Sequence, residues 1–148
     1  MIRKILFTLL AAAAAPAAYA ADGCSVQLTG DDALKFSLAQ IEVPASCDEF
    51  TIDFQHVGKL AANVMGHNVV IARTADVDAV ASDGLAVQPD HVKPGDARVV
   101  AHTKVIGGGE STSLTFDTSK LEDGGDYSFF CSFPGHSAVM RGKLVAGG

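Results

Sequence analysis

The chain has 148 residues, 48% of them hydrophobic, with 17 acidic and 11 basic side chains. The first twenty residues hold two of the basic side chains and none of the acidic ones, so the remaining 128 carry a net charge of −8. No basic patch exists to displace condensed counterions, which excludes a nucleic-acid partner, and the length suits one domain that buries roughly two thirds of its unfolded surface.

Arg3 and Lys4, the apolar run Ile5 to Ala15, and Ala18-Tyr19-Ala20 stand in the order of a secretory signal peptide: basic, hydrophobic, cleavable. Residues 1–20 are therefore expected to be removed. Residues 21–148 are expected to form a single domain of an exported protein. No later run is apolar for long enough to insert into a membrane.

Beyond this leader, turn residues recur roughly every eight to twelve positions with short alternating runs between them, the pattern of an all-β sandwich or barrel. Ser25 to Leu28 and Lys35 to Val43 are the first expected strands. Phe50 to His56 alternates cleanly, with Phe50, Ile52, Phe54 and His56 on one face. His67 to Ala72 is more continuously apolar, as a central strand is. Thr74 to Gly84 breaks the pattern. It has an N-cap candidate in Thr74, acidic residues in its first turn, a terminal glycine, and Val77, Val80 and Ala81 on one helical face. One short helix against the outside of the sandwich is predicted there. Gln88 to Asp96 reads as a surface loop. Arg98 to Val105, Ser111 to Phe116, Tyr127 to Cys131 and Lys143 to Ala146 complete about eight strands.

Three cysteines make an odd count, which needs explaining in an exported chain. Cys24 and Cys47 flank two strand-like runs and are the expected disulfide, worth ~3.4 kcal/mol in the chain-entropy model. The other pairings stay open on sequence alone. Cys131 is then left over, and it lies in Cys131-Ser-Phe-Pro-Gly-His136-Ser-Ala-Val-Met140. A thiolate, an imidazole and a thioether within ten residues are soft or borderline donors that suit copper rather than magnesium or calcium. A second imidazole is needed, and Met65-Gly66-His67-Asn68 is its natural source. The remaining histidines read as a core residue with a hydrogen-bond partner (His56), a surface residue (His102) and a solvated loop residue (His91).

Gly66-His67-Asn68, Ala101-His102-Thr103-Lys104, the run Phe129 to Met140 and the spaced pair Cys24/Cys47 resemble the azurins, the periplasmic branch of the blue-copper cupredoxins. The likeness extends over all of residues 21–148, and the Cys-x4-His-x3-Met spacing is specific to that branch. It implies a Greek-key β-sandwich holding one copper ion that alternates between Cu(I) and Cu(II), and a one-electron carrier rather than an enzyme. By the same resemblance His67, Cys131 and His136 are the strong ligands, and Met140 and the Gly66 carbonyl are weak axial contacts. Asn68 braces the thiolate loop, and Cys24–Cys47 is the family disulfide. An apolar docking surface above His136 would comprise Leu34, Leu60, Val64, Met65, Phe133, Pro134, Ala138 and Val139. Its partners would be transient: c-type cytochromes, or periplasmic reductases and dehydrogenases, meeting a monomer. Two departures are visible, since the chain has no tryptophan, with Val69 where many azurins place one, and the segment after the helix is shorter.

Three other readings compete. A copper carrier or store would bind the metal without electron transfer. A hydrolase using Cys131 and His136 lacks any sequence sign of an oxyanion hole or an orienting acid, and would leave Met140 idle. A zinc site of Cys and His has no use for a thioether.

Overall fold

Strand-forming residues segregate into eight short strands in two sheets, seen in a computed structural model that describes residues 23–147. The expected signal peptide lies outside the described residues. The first sheet has three strands in the order β1 (Ser25–Gly30), β3 (Glu49–His56) and β6 (Ser111–Asp117). The second has five: β2 (Gln40–Val43), β8 (Arg141–Ala146), β7 (Tyr127–Phe130), β4 (Val70–Arg73) and β5 (Val99–His102). The chain crosses repeatedly from one sheet to the other, so β1 runs parallel to β3 and β2 parallel to β8, while the other pairs are antiparallel. The result is an open sandwich of the expected type and not a closed barrel.

Period-two alternation explains the filling between the sheets. Phe50, Ile52 and Phe54 of β3 point inward with Leu28, Ile41, Leu114, Phe116, Phe129 and Leu144. Val69, standing where the resemblance places a tryptophan in many relatives, is fully buried in this core. Strand β4 is buried on both faces. Ile71 faces the sandwich interior, while Val70 and Ala72 face outward to meet Phe130 and Val92. That outer layer is closed by a helix, α2 (Val77–Gly84), through Val77, Val80 and Ala81. The predicted external helix and its apolar face are both present. Its N-terminus differs, because Thr74 lies in a 3-10 turn and donates its hydroxyl to Asp126 instead of capping.

The boundaries that shift do so where a side chain competes with the ladder. Lys35 to Ala39 do not join β2. The Asp31 carboxylate instead accepts from the Ala33 and Lys35 amides, and Leu34 takes φ +60°. His67 to Val69 stand apart from β4, since the Thr103 hydroxyl takes the Val69 amide that a longer β4–β5 ladder would have used. A second helix, α1 (Ala62–Met65), is a single turn that the sequence reading does not include. Cys24 and Cys47 are disulfide-bonded at the start of β1, and Cys131 is the free, buried cysteine. Six residues of β1 place that bridge about 20 Å along the strand from Asp31, which touches the site below.

Candidate metal centre

Three connections at one end of the sandwich deliver the donors. His67 follows α1 and is held by a two-way backbone bridge to Ile106, at 3.0 and 2.9 Å. Its Nε2 lies 2.8 Å from the Asp31 carbonyl, so this nitrogen carries the hydrogen and Nδ1 keeps a bare lone pair. His56 stacks on its other face, ring centroids 4.3 Å apart. Both ring nitrogens of His56 are engaged: Nε2 donates to the Met65 carbonyl at 2.8 Å and Nδ1 accepts from the Gly58 amide at 3.0 Å. It is the core histidine that its place on the apolar face of β3 predicts.

Cys131 directly follows β7, is fully buried, and donates its amide to the Met140 carbonyl at 3.0 Å. That bond closes the ligand loop at its base. Within the loop Gly135 takes φ +84°, a conformation that glycine adopts freely, and the His136 amide reaches back to the Phe133 carbonyl at 3.0 Å. The amides of Val139 and Met140 both return to the His136 carbonyl, at 3.0 and 2.8 Å. The loop is thus a folded unit with little freedom.

The ligand atoms converge. Sγ of Cys131 lies 3.8 Å from His67 Nδ1, 3.6 Å from His136 Nδ1 and 3.9 Å from the Gly66 carbonyl. His67, Cys131 and His136 are all buried, and their donor atoms fall within 4.8 Å of one another. Metal–ligand bond lengths fix the separation such donors must have. A nitrogen about 2.0 Å and a sulfur about 2.3 Å from one centre, about 120° apart, are separated by about 3.7 Å. The two observed sulfur–nitrogen distances bracket that value. The set fits one transition-metal ion in its midst, and its softness selects copper over the hard cations.

Electrostatics point the same way. Burial pushes the Cys131 thiol up to about 11, although the backbone N–H groups of Asn68 and Phe133 aimed at Sγ work against this. Burial, together with the two neighbouring imidazoles, lowers His136 to about 4. Burial also holds His67 below its ordinary range, partly offset by the bond to Asp31. Both rings are therefore neutral near pH 7, with lone pairs free for a metal, and no carboxylate enters the donor set.

Met140 is fully buried at the end of the ligand loop, and its terminal methyl occupies space that a Cβ on Gly30 would invade, at 2.8 Å. Gly66 has no room for a side chain: a Cβ there would meet the Ala62 carbonyl and Val105, and touch Phe133 at 3.0 Å. Its carbonyl can approach the sulfur for that reason. The Asn68 side chain accepts from the Ser132 amide at 2.9 Å and donates to the Ser132 hydroxyl at 2.8 Å, stitching the His67 segment to the Cys131 segment. Leu60, Val64 and Val139 are 41, 59 and 64% exposed; Pro134 and Ala138 are also exposed, and Leu34, Met65 and Phe133 half-buried.

His102 is exposed, as expected. His91 is not solvated, contrary to the sequence reading. It is buried, its Nδ1 donates to the Leu85 carbonyl at 3.3 Å, and its ring meets Phe133 edge-on at 5.3 Å. The polar composition of Gln88 to Asp96 hid this, since the segment folds inward against the ligand loop. Asp31 and Gly30 also escaped the reading. One acts through a backbone carbonyl and the other through a missing side chain, and neither leaves a mark in sequence.

Comparison with known proteins agrees with this geometry. The family model of copper-binding proteins of the plastocyanin/azurin family matches residues 23–147. The azurin of Bordetella pertussis is 51% identical over 146 residues, 97% of each chain. That of Pseudomonas aeruginosa is 48% identical over 148 residues, 98% of this chain and 99% of its own. The solved azurin Az-iso2 of the methylotroph Methylomonas sp. strain J superposes with a TM-score of 0.81 at 44% identity, covering 85% of this chain and 99% of that one. With one copper site formed by His67, Cys131 and His136, the chain belongs to the plastocyanin/azurin family of copper-binding proteins.

Proposed function

We propose that the protein is a soluble periplasmic one-electron carrier that shuttles between partner redox proteins and catalyses no reaction of its own. The observation that carries this reading is the rigidity of a buried donor set. Each ligand is already fixed by backbone or side-chain hydrogen bonds, and His136, the ligand nearest the surface, is only 6% exposed. Bound copper would supply the one-electron couple. The chain's own contribution is to hold two imidazoles and a thiolate where neither oxidation state requires the ligands to move.

Met140 and the Gly66 carbonyl are assigned as the weak contacts that would supplement the three strong donors. Asn68 is assigned as the brace between His67 and Cys131, as outer hydrogen bonds generally orient metal ligands. The exposed and half-buried apolar residues around the ligand loop (Leu34, Leu60, Val64, Met65, Phe133, Pro134, Ala138 and Val139) form the proposed docking surface. A small apolar contact suits brief encounters. Export rests on the composition of residues 1–20, with residues 21–148 as the mature domain.

Rapid mixing of the reduced, copper-loaded protein with oxidised c-type cytochromes tests the reading. Cytochrome reduction should be second order, and Val139→Glu should slow it without altering the visible spectrum. Copper release to a chelator with no cytochrome reduction would favour the store over the carrier.

A further inference from the structure

We propose that Asp90 is a positioning residue for the copper ligands, tying together through one peptide and one carboxylate the segments that carry His67 and Cys131. This rests on the reading of the site as a copper centre. Asn68 and Ser132 hold each other, but a two-residue clasp needs an outside anchor, and Asp90 supplies it. Its backbone carbonyl accepts from Asn68 Nδ2 at 2.9 Å and from the Ser132 hydroxyl at 3.4 Å. Its own carboxylate accepts from the Val105 amide at 2.9 Å.

Val105 is the residue that walls in Gly66, and Ile106 beside it forms the two-way bridge to His67. A single half-buried aspartate therefore joins the Asn68, Ser132 and Val105 segments. The same peptide is oriented on its other side, because the His91 amide donates to the Val87 carbonyl at 2.9 Å and the His91 ring to the Leu85 carbonyl, while the carboxylate bond to Val105 sets how closely the peptide stands to Asn68 and Ser132. The Asp90 carbonyl thus has one direction in which to point.

The consequence concerns the sulfur. Of the two amides aimed at Sγ, one belongs to Asn68, which Asp90 holds directly, and the other to Phe133, which follows the held Ser132. If the anchor is lost, these donors retreat and the thiolate gives more charge to the oxidised metal. Hydrogen bonds around the cysteine sulfur set the potential of such a site, so the potential should fall. Loss of an outer hydrogen-bond partner typically weakens metal binding by about 10- to 100-fold.

The test pairs Asp90→Ala with Asp90→Asn, which keeps an acceptor for the Val105 amide. In the metal-free protein, hydrogen exchange by NMR should show the Ser132 amide and the Asn68 carboxamide losing protection in Asp90→Ala and keeping it in Asp90→Asn. In the copper-loaded protein, chelator competition should show about a tenfold or greater loss of affinity and a lowered potential for Asp90→Ala alone. Unchanged exchange and potential in Asp90→Ala would overturn the proposal. So would equal effects in both variants, which would assign the effect to charge. Failure of the wild type to bind copper would sink the copper reading instead, leaving the exchange result to stand by itself.

Discussion

Copper uptake should release a number of protons that reflects the buried state of the ligands, and pH is the perturbation that exposes it. In the metal-free protein burial pushes the Cys131 thiol up to about 11 and His136 down to about 4, and holds His67 below its ordinary range. A bound ion requires a thiolate and two neutral rings, so protons present beforehand must leave. With ordinary values of about 6.5 for histidine and about 9 for the thiol, loading at pH 5.5 would release about 2.8 protons, and at pH 9.5 only about 0.2.

The site described above behaves differently at both ends. At pH 5.5 His136 contributes almost nothing, so release stays below about two; at pH 9.5 the thiol is still protonated, so release stays close to one. Between pH 7 and 9.5 the profile should be nearly flat. Calorimetric titration in paired buffers of different ionisation enthalpy, with copper delivered as a weak complex of known protonation, reads the number directly. Release near three at pH 5.5, or near zero at pH 9.5, would refute the claim that burial governs these ligands.

Two further outcomes are expected. Met140→Leu should leave the protein folded, at a cost below about 1.5 kcal/mol for a volume-conserving exchange. It should remain blue but have a higher reduction potential, since a weak donor to Cu(II) is lost; an unchanged potential in voltammetry would remove Met140 from the site. Acid should destabilise the metal-free protein. His136 has a lowered native value of about 4, so the unfolded chain binds more protons below about 6.5, and stability falls as pH drops from there. The slope from this residue is at most about 1.4 kcal/mol per pH unit, levelling out below about pH 4. Urea midpoints that rise between pH 7 and 5 would contradict the assigned sign.

The parts of the molecule legible in sequence are those written in side-chain type and period. The alternation in Phe50 to His56, the doubly apolar run into β4, the helical spacing of Val77, Val80 and Ala81, and the pair Cys131 and His136 each found their place. What escaped is written in backbone or in competition between neighbours. Nothing about Asp31 announces that its carbonyl would fix the tautomer of His67. Thr103 reads as an ordinary strand residue, yet its hydroxyl ends the β4–β5 ladder. His91 sits in a polar segment, and its burial follows from the inward fold of that segment against Phe133, which composition does not encode.

The most direct single measurement is the visible spectrum of the wild type and of Cys131→Ser after addition of one equivalent of Cu(II) under oxidising conditions. A thiolate joined with two imidazoles on one ion predicts an intense blue absorption in the wild type and none in the variant. Full colour in Cys131→Ser, or a colourless wild type that has nonetheless taken up the metal, would contradict the copper site formed by His67, Cys131 and His136.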